Sequence, residues 1–323
     1  QCYQLIDEIM KVGKPILILT GGEPLARPDV MEIARYGVSK GLRVVMGTNG
    51  TLITKEMAAE LKKVPVSRLA VSLDFPSPEL QDEFRGKPGA FQDALNGIAN
   101  ACEAGIEIQI NSTITRLNVE YLAELLKLSL KVGAMAFHPF MLVPTGRGKG
   151  LASQELSPQQ YEETLNWIYD KQAELGDRMF FKPTDVPHYM RVVRQRQKQE
   201  RRDTAVPAAG HDPANTITRG CLAGIGFAFI SYQGKVKGCG YLDVEAGDLR
   251  KQSFGEIWAD SPLFSRLRDL SNIRGKCGVC EYKNICGGCR ARAYEATGDY
   301  LEAEPYCIYE PVRTRKALMG AQE

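Results

Sequence analysis

Apolar positions in the first 145 residues alternate between strand-like and helix-like spacing. Short apolar runs of strand length are separated by stretches in which apolar residues recur every three or four positions. The strand-like runs are Pro15–Thr20, Arg43–Gly47, Ser67–Leu73, Glu107–Thr113 and Ala134–Leu142. The helix-like stretches are Asp29–Lys40, Lys55–Lys63, Phe91–Ala104 and Val119–Lys131. This alternation predicts βα units around a parallel sheet, either open or curled into a barrel.

Glycines mark the ends of three of these helices. Gly41, Gly105 and Gly133 follow the helix-like stretches at the position where the backbone often turns left-handed. The chain opens in another helix-like stretch, Cys2–Met10. We therefore expect a further strand to precede the sequence given.

The second half of the chain has a different pattern. Helices are predicted at Ser157–Leu175 and His188–Arg202, and Thr204–Thr218 has the composition of a linker. We place the domain boundary there, which gives domains 1–203 and 204–323. Beyond it a hairpin is predicted around Tyr232-Gln233-Gly234. Short helices are expected at Phe254–Trp258 and Leu263–Leu270.

Composition excludes several classes of protein. The chain has 323 residues, of which 44% are hydrophobic, so it can bury a large core. The formal net charge is only +2, and neither a basic excess nor interleaved aromatics suggest nucleic acid. No apolar run approaches the roughly 20 residues that span a bilayer. We expect a cytoplasmic protein without membrane insertion.

Cysteine spacing is the most informative chemical signal. Four of the nine cysteines form one block, and three more stand outside it; the seven are Cys221, Cys239, Cys277, Cys280, Cys286, Cys289 and Cys307. Each C-x-x-C pair lets two thiolates converge on one metal centre. Seven soft ligands exceed one four-coordinate site and nearly fill two. The pattern predicts metal binding rather than disulfides.

Small and polar residues follow the strand-like runs of the first domain. They are Gly21, Gly22, Glu23 and Pro24; Thr48 and Asn49; Ser72 and Asp74; and Asn111. The carboxyl ends of barrel strands form an active-site mouth. The glycines allow close approach of a ligand, Glu23 could hold an ammonium group, and Asn49, Ser72 and Asp74 could bind ribose hydroxyls. Ordinary βα turns can carry any one of these motifs, but three in order at consecutive strand ends favour a binding site.

With these motifs the chain resembles the radical S-adenosylmethionine (SAM) superfamily. Gly21-Gly22-Glu23-Pro24 matches the GGEP motif, which grips the methionyl amino group in that family, and Thr48-Asn49-Gly50 and Ser72-Leu73-Asp74 match the next strand-end motifs. The resemblance implies an α/β fold, a partial (βα)6 barrel whose first strand lies upstream. The C-x3-C-x2-C loop of the SAM-cleaving [4Fe–4S] cluster is expected there too. Cys2 and Cys102 lie in helix-like stretches and are expected to be structural.

The cysteine series resembles the SPASM extension of the same superfamily. By that resemblance Cys221, Cys239 and Cys289 would bind one auxiliary [4Fe–4S] cluster, whose fourth ligand is unassigned. A second auxiliary cluster would be bound by Cys277, Cys280, Cys286 and Cys307.

Further segments resemble the tetrapyrrole-modifying members of that superfamily. They are Leu142–Gly148, Pro187-His188-Tyr189, Gly220–Gly224 and Cys289–Ala293. The nearest resemblance is to the decarboxylase that converts two propionates of iron-coproporphyrin III to vinyls. A tetrapyrrole substrate and an electron donor such as ferredoxin or flavodoxin are then implied. Arg147 is our first choice for a substrate carboxylate, and His138 and His188 are candidates for a propionate contact or an axial iron ligand.

Other functions remain open at this stage. Modification of the side chains of d1-type heme or of didecarboxysiroheme is one alternative, and a peptide-modifying SPASM enzyme is another. A non-catalytic iron-sulfur electron carrier would use the clusters without SAM. A structural zinc protein would explain the Cys277–Cys289 block alone.

Overall fold

The computed structural model describes residues 1–200 and 219–314. The chain divides into two compact units. Unit 1 comprises Gln1–Phe140 and Leu175–Lys182, and unit 2 comprises Met141–Glu174 and Pro183–Glu323. The domain boundary predicted at residue 204 lies outside the described residues and stays a prediction.

Helices and strands alternate through the first half of the chain, as the apolar pattern predicts. The strands are β1 (Ile16–Leu19), β2 (Arg43–Thr48), β3 (Arg68–Ser72), β4 (Glu107–Ile114), β5 (Ala136–Met141) and β6 (Phe180–Phe181). The helices are α1 (Cys2–Val12), α2 (Val30–Ser39), α3 (Lys55–Lys63), α4 (Pro78–Arg85), α5 (Ala90–Glu103) and α6 (Leu122–Lys131). Helix α7 (Pro158–Leu175) lies between β5 and β6.

Strands β1 to β6 form one sheet in sequential order. Strands β1 to β4 pair with their neighbours in parallel, as do β5 and β6; Ile16 pairs with Arg43, for example, and Ser72 pairs with Asn111. This confirms the α/β class and the parallel sheet. Strand β6 and helix α4 were not predicted, because β6 has only two residues and α4 has a single buried position, Gln81.

Alternate positions of the central strands are buried, which places an apolar layer on one face of the sheet. In β3, Leu69 and Val71 are fully buried, and Ile108 and Ile110 in β4 are at most 1% exposed. The glycines predicted to end helices have left-handed backbones, with φ of 82° at Gly41, 71° at Gly105 and 76° at Gly133. That prediction is confirmed.

A close backbone contact connects α5 to the loop after β2. A Cβ atom added to buried Gly97 would lie 2.1 Å from the carbonyl oxygen of Gly50. Gly50 itself has a φ of 82°, which favours glycine. The pair of glycines therefore fixes the position of the Thr48-Asn49-Gly50 turn against a helix.

Unit 2 contains short elements around the cysteine segments. Its further elements are α8 (Tyr189–Gln199), β7 (Phe229–Ile230), β8 (Lys235–Lys237), β9 (Glu245–Asp248), α9 (Phe254–Asp260), α10 (Pro262–Arg268), α11 (Gly275–Gly278) and α12 (Arg290–Thr297). Strands β7 and β8 form the predicted antiparallel hairpin, and β9 adds a third strand. Ser253 and Glu256 form a capping box at the start of α9.

Within the described part of the chain, none of the helices combines the length and apolar character needed to cross a bilayer.

Replacing Gly97 by alanine should destabilise unit 1 by about 1–3 kcal/mol, because the new methyl group would meet a backbone carbonyl that cannot rotate away. The matched control is Gly13→Ala, where an added Cβ meets nothing within 4 Å and φ is 170°. Thermal unfolding should show a lower Tm for Gly97→Ala only. Equal melting of the two variants would contradict the close packing.

Candidate cofactor site and metal centres

The Glu23 carboxylate joins two of the motif loops in unit 1. Oε1 accepts a hydrogen bond from the Thr48 hydroxyl at 2.8 Å and from the Leu25 amide at 3.0 Å, and Oε2 accepts one from the Asn49 amide at 2.7 Å. A carboxylate offers about four lone-pair positions, so one acceptor position is left for a ligand cation. Pro24 is buried as the first residue of a 3₁₀ turn that this carboxylate caps.

The two glycines before Glu23 leave the approach to its carboxylate open. Gly21 and Gly22 are exposed, and an added Cβ at either would meet nothing within 4 Å. The φ of 151° at Gly21 disfavours other residues. Asn49 uses its Oδ1 to accept the Thr51 amide at 2.9 Å, which forms an Asx turn. Glu23, Thr48 and Asn49 are thus brought together as predicted.

Asp74 lies at the end of β3 and is fully buried. Its Oδ1 accepts the Thr113 amide at 2.8 Å, and its Oδ2 pairs with Arg85. Burial raises the pKa of Asp74, while Arg85 opposes that shift. These contacts connect the ends of β3 and β4 through Asp74, and its predicted contact with a ribose stays a prediction.

Ser72 and Asn111 pair across β3 and β4, and both side chains are half-buried. Asn111 Oδ1 accepts a hydrogen bond from Gln109 Nε2 at 2.7 Å. Contact of Ser72 and Asn111 with a cofactor stays a prediction.

His138 lies in β5 and is 7% exposed. Its Nε2 has no hydrogen-bond partner among the described residues. Burial, together with Lys182 and Arg68, lowers the pKa of His138 well below its usual value, so the ring is neutral. A buried, neutral imidazole with a spare nitrogen can act as an acceptor or a metal ligand.

Four cysteines of unit 2 line one cavity that opens to solvent. They are the set predicted for the second cluster: Cys277, Cys280, Cys286 and Cys307. Arg191, Lys276 and Lys283 line the same cavity. Cationic side chains would offset the negative charge of thiolates gathered there.

Backbone amides point at the sulfur atoms of this cavity. Gly288 N lies 3.3 Å from Cys286 Sγ, Tyr282 N lies 3.4 Å from Cys280 Sγ, and Glu304 N lies 3.4 Å from Cys277 Sγ. Such donors stabilise sulfur that carries negative charge, as in ligands of iron-sulfur clusters. The donor set therefore fits a cluster.

Burial, in contrast to the backbone amides, disfavours the thiolate form of these four cysteines. It raises the pKa of Cys277, Cys280, Cys286 and Cys307, so the thiols hold their protons in the absence of metal. Coordination to iron removes the proton outright.

The remaining three predicted ligands form a second neighbourhood. Cys289 is 5% exposed, and Cys221 and Cys239 are half-buried. Burial, together with the nearby Asp185 and Cys221, raises the pKa of Cys239 to about 12. Asp185 and Cys221 also raise the pKa of Cys289. The structure thus brings the seven cysteines together in the two groups that the resemblance implies; ligation of clusters by them stays a prediction.

Among the described residues, no three His, Cys, Asp or Glu side chains converge in the way that a single metal ion demands. A cubane cluster makes a different demand, because each thiolate binds a different iron. Donors around the wall of a cavity meet that demand. All nine cysteines are free thiols. Cys102 is exposed, which differs from the buried structural position expected for it.

His188 lines the four-cysteine cavity. It is 1% exposed, and neither ring nitrogen has a hydrogen-bond partner among the described residues. Burial, with Arg292, Arg191 and Lys276, lowers the pKa of His188 well below its usual value. A buried, unpartnered imidazole is costly unless a bound group completes it, and a cluster sulfur is one such acceptor. The substrate contact predicted for His188 stays a prediction.

Arg147 follows β5 in a 3₁₀ segment, Gly146–Gln154, but its side chain lies outside the described part of the structure. Its predicted contact with a substrate carboxylate therefore stays a prediction.

Sequence reasoning missed the structural importance of Arg292. This residue is 1% exposed in α12, and its guanidinium donates to the carbonyl of Asp185 at 2.8 Å and to that of Leu142 at 3.1 Å. It also pairs with Glu304 at 3.4 Å. Glu304 Oε2 in turn accepts the Cys289 amide at 2.8 Å. The only signal in the sequence was its place three residues after Cys289.

Comparison with known proteins agrees with this organisation. A family model described as "Radical SAM superfamily" matches residues 1–129, and one described as "Iron-sulfur cluster-binding domain" matches residues 221–290. The fold is similar to a crystal structure of Streptococcus suis SuiB, with a TM-score of 0.72 and 16% identity over 95% of this chain and 70% of that chain.

Two curated relatives match almost the whole sequence. An AdoMet-dependent heme synthase of Methanosarcina barkeri is 52% identical over 96% of this chain and 87% of its own length. An Fe-coproporphyrin III synthase of the same organism is 31% identical over 94% of this chain and 78% of its own length. The chain therefore belongs to the radical SAM superfamily, in the family of the AdoMet-dependent heme synthases, and is an enzyme that uses S-adenosylmethionine and [4Fe–4S] clusters.

Proposed function

We propose that this enzyme converts iron-coproporphyrin III to heme by oxidative decarboxylation of two propionate side chains. The observation that carries the proposal is the 52% identity to an AdoMet-dependent heme synthase along nearly the whole chain. Identity to the Fe-coproporphyrin III synthase is lower, at 31%, which favours the heme-forming step over the neighbouring reactions of the same class.

The chemistry of the reaction explains why cysteine ligands are needed in unit 2. When bound, SAM with its reduced cluster supplies a 5′-deoxyadenosyl radical, and an auxiliary cluster supplies an acceptor for one electron. The propionate loses a hydrogen atom from the carbon next to the ring. It then loses CO2 and one electron, which leaves a vinyl group. Each propionate thus yields one surplus electron.

The residues of unit 1 bind and orient the cofactor. Glu23 is placed to accept a hydrogen bond from the methionyl ammonium, since its carboxylate is held by Thr48, Asn49 and Leu25 and keeps an acceptor position. Open backbone at Gly21 and Gly22 lets the ligand approach. Asn49, Ser72 and Asn111 are the remaining candidates for the ribose.

The substrate is a polyanion, so cations and neutral imidazoles suit its contacts. We assign Arg147 to a propionate, because a guanidinium binds a carboxylate through two parallel hydrogen bonds. His138 is assigned to a second propionate or to the porphyrin iron, since its ring is neutral and has a spare nitrogen. His188 remains a weaker candidate, because the cysteine cavity already offers it an acceptor. A reductant such as ferredoxin or flavodoxin would supply electrons in the cytoplasm.

The first test is turnover. We expect anaerobically reconstituted protein, given SAM, a strong reductant and iron-coproporphyrin III, to remove two formic-acid equivalents stepwise from the tetrapyrrole. 5′-Deoxyadenosine should form in proportion. Mass spectrometry of the tetrapyrrole and quantitation of the nucleoside check both, and omission of SAM is the control.

The same assay separates the alternatives. Deoxyadenosine without a change in the porphyrin would redirect the search to didecarboxysiroheme, d1-type heme precursors or peptides. Neither product from a protein with verified clusters would contradict radical catalysis on this substrate.

Replacing Glu23 by glutamine should weaken SAM binding by about 10- to 100-fold, since a hydrogen bond to a charged group contributes about 1.5–3 kcal/mol. Calorimetric titration of the reconstituted protein with SAM measures this. Glu83→Gln, at an exposed carboxylate of α4, is the matched control. Wild-type affinity in both variants would remove Glu23 from the cofactor site.

Replacing Arg147 by alanine should reduce tetrapyrrole turnover about 10-fold or more and leave SAM affinity unchanged, because a charged hydrogen bond to the substrate is lost. Lys149→Ala, at an exposed cation of the same segment, is the control. Steady-state kinetics and SAM titration check the two halves of this expectation. Unchanged turnover would exclude Arg147 from substrate binding.

A further inference from the structure

The first cysteine group has three thiols, whereas a [4Fe–4S] cluster has four irons to be ligated. The second group is complete with four thiols in one cavity. Cys221, Cys239 and Cys289 therefore leave one iron without a cysteine ligand. A protein ligand for that iron has to come from the side chains around these three thiols.

Asp185 belongs to the same neighbourhood as these three thiols. Its carboxylate is close enough to raise the pKa of both Cys239 and Cys289. Direct contacts hold the segment that carries Asp185 near the three thiols. Arg292, three residues after Cys289, donates to the Asp185 carbonyl at 2.8 Å. Pro187 packs so tightly on Gly220 that a Cβ there would lie 2.6 Å from Pro187 Cβ.

The carboxylate itself has no protein partner. Among the described residues, Asp185 makes no side-chain hydrogen bond or ion pair; the contact with Arg292 uses its backbone carbonyl. The residue is partly buried, between two residues' contacts with the rest of unit 2: Arg292 at its carbonyl and Gly220 at Pro187. Burying such a group without a partner is costly, and a metal ion offsets that cost.

The backbone at Asp185 is also unusual. Its φ is 61°, and Pro65 is the only other non-glycine residue with a positive φ in the described ranges 1–200 and 219–314. A left-handed backbone is costly in a non-glycine residue and persists where the surroundings hold it. Here those surroundings are the contacts that Arg292 and Gly220 make with the segment.

Glu304 and Tyr241 also bring oxygen donors near these thiols. Glu304 is already engaged by the Cys289 amide at 2.8 Å and by Arg292 at 3.4 Å. Tyr241 is close enough for Asp185, Cys239 and Cys289 to raise the pKa of its phenol, which burial raises most. A phenol gives up its proton to a metal less readily than a carboxyl does. Asp185 is the donor that the surroundings favour.

We propose that a carboxylate oxygen of Asp185 is the fourth protein ligand of the iron-sulfur cluster held by Cys221, Cys239 and Cys289. The carboxyl loses its proton as the iron–oxygen bond forms, and no electron is transferred. This ligand is harder and exchanges more readily than a thiolate, so the iron it binds is the one at which another molecule can enter. The proposal rests on the assignment of the three cysteines to one cluster.

The test uses the full chain with its clusters reconstituted, labelled with ¹³C-aspartate. Electron-nuclear double resonance on the reduced protein should show ¹³C coupled to a cluster spin, and Asp185→Cys should abolish that coupling while retaining the iron. Asp185→Ala should lose on the order of one iron atom per chain and show the EPR signal of a three-iron cluster. Asp260→Ala, at an exposed carboxylate of α9, and Tyr241→Phe should behave like the wild type.

Other results would overturn the proposal in distinguishable ways. Unchanged ¹³C coupling in Asp185→Cys, or full iron with an unchanged spectrum in Asp185→Ala, would exclude Asp185. A three-iron signal in Tyr241→Phe instead would assign the phenol. Cys221→Ser with full iron and a wild-type spectrum would show that the three-cysteine assignment is wrong, independently of turnover.

Discussion

Unit 2 depends on the burial of one positive charge. The Arg292 guanidinium is 1% exposed and lies over the rings of Tyr161 and Tyr306, with its carbon 5.1 and 5.8 Å from their centroids. A charge in that position is tolerated only if its donors are satisfied. Glu304 and the carbonyls of Asp185, Met141 and Leu142, which belong to two segments, accept from its terminal nitrogens, and Nε lies 3.6 Å from the Glu155 carboxylate. The segment after Cys289 is thereby held against the segment that carries Asp185.

This arrangement also links the two cysteine groups to each other. Glu304 binds the Cys289 amide through its side chain and points its own amide at Cys277 Sγ. One residue thus contacts a member of each cysteine group. The ion pair with Arg292 offsets the negative charge of Glu304. An unpaired carboxylate at this place would repel the thiolates and raise the free-energy cost of gathering them.

The sequence predicted the features that depend on local spacing. Alternating periods predicted β1 to β5 and most helices, and the C-x-x-C pairs with three outlying cysteines supplied the candidate metal ligands. Strand β6 was missed because a strand of two residues is too short to show an alternation of apolar and polar positions. Asp185 and Arg292 were missed for another reason. Their roles arise from contacts between segments about a hundred residues apart, and neither residue type signals burial, since charged side chains are usually exposed. Arg147 was chosen from its sequence motif alone, and its contact with the substrate stays a prediction.

The spread of the seven thiols along the chain has a consequence for how unit 2 folds. The seven thiols come from segments spread between residues 221 and 307. Bringing such segments together costs chain entropy, which grows with the length of the loops that are closed. Metal insertion meets that cost, so folding of this unit and loading with iron are one coupled equilibrium. A cell short of iron would therefore accumulate chains whose second unit opens more often, and proteases act on such openings. Abundance of the enzyme would then follow the supply of the metal that its product carries.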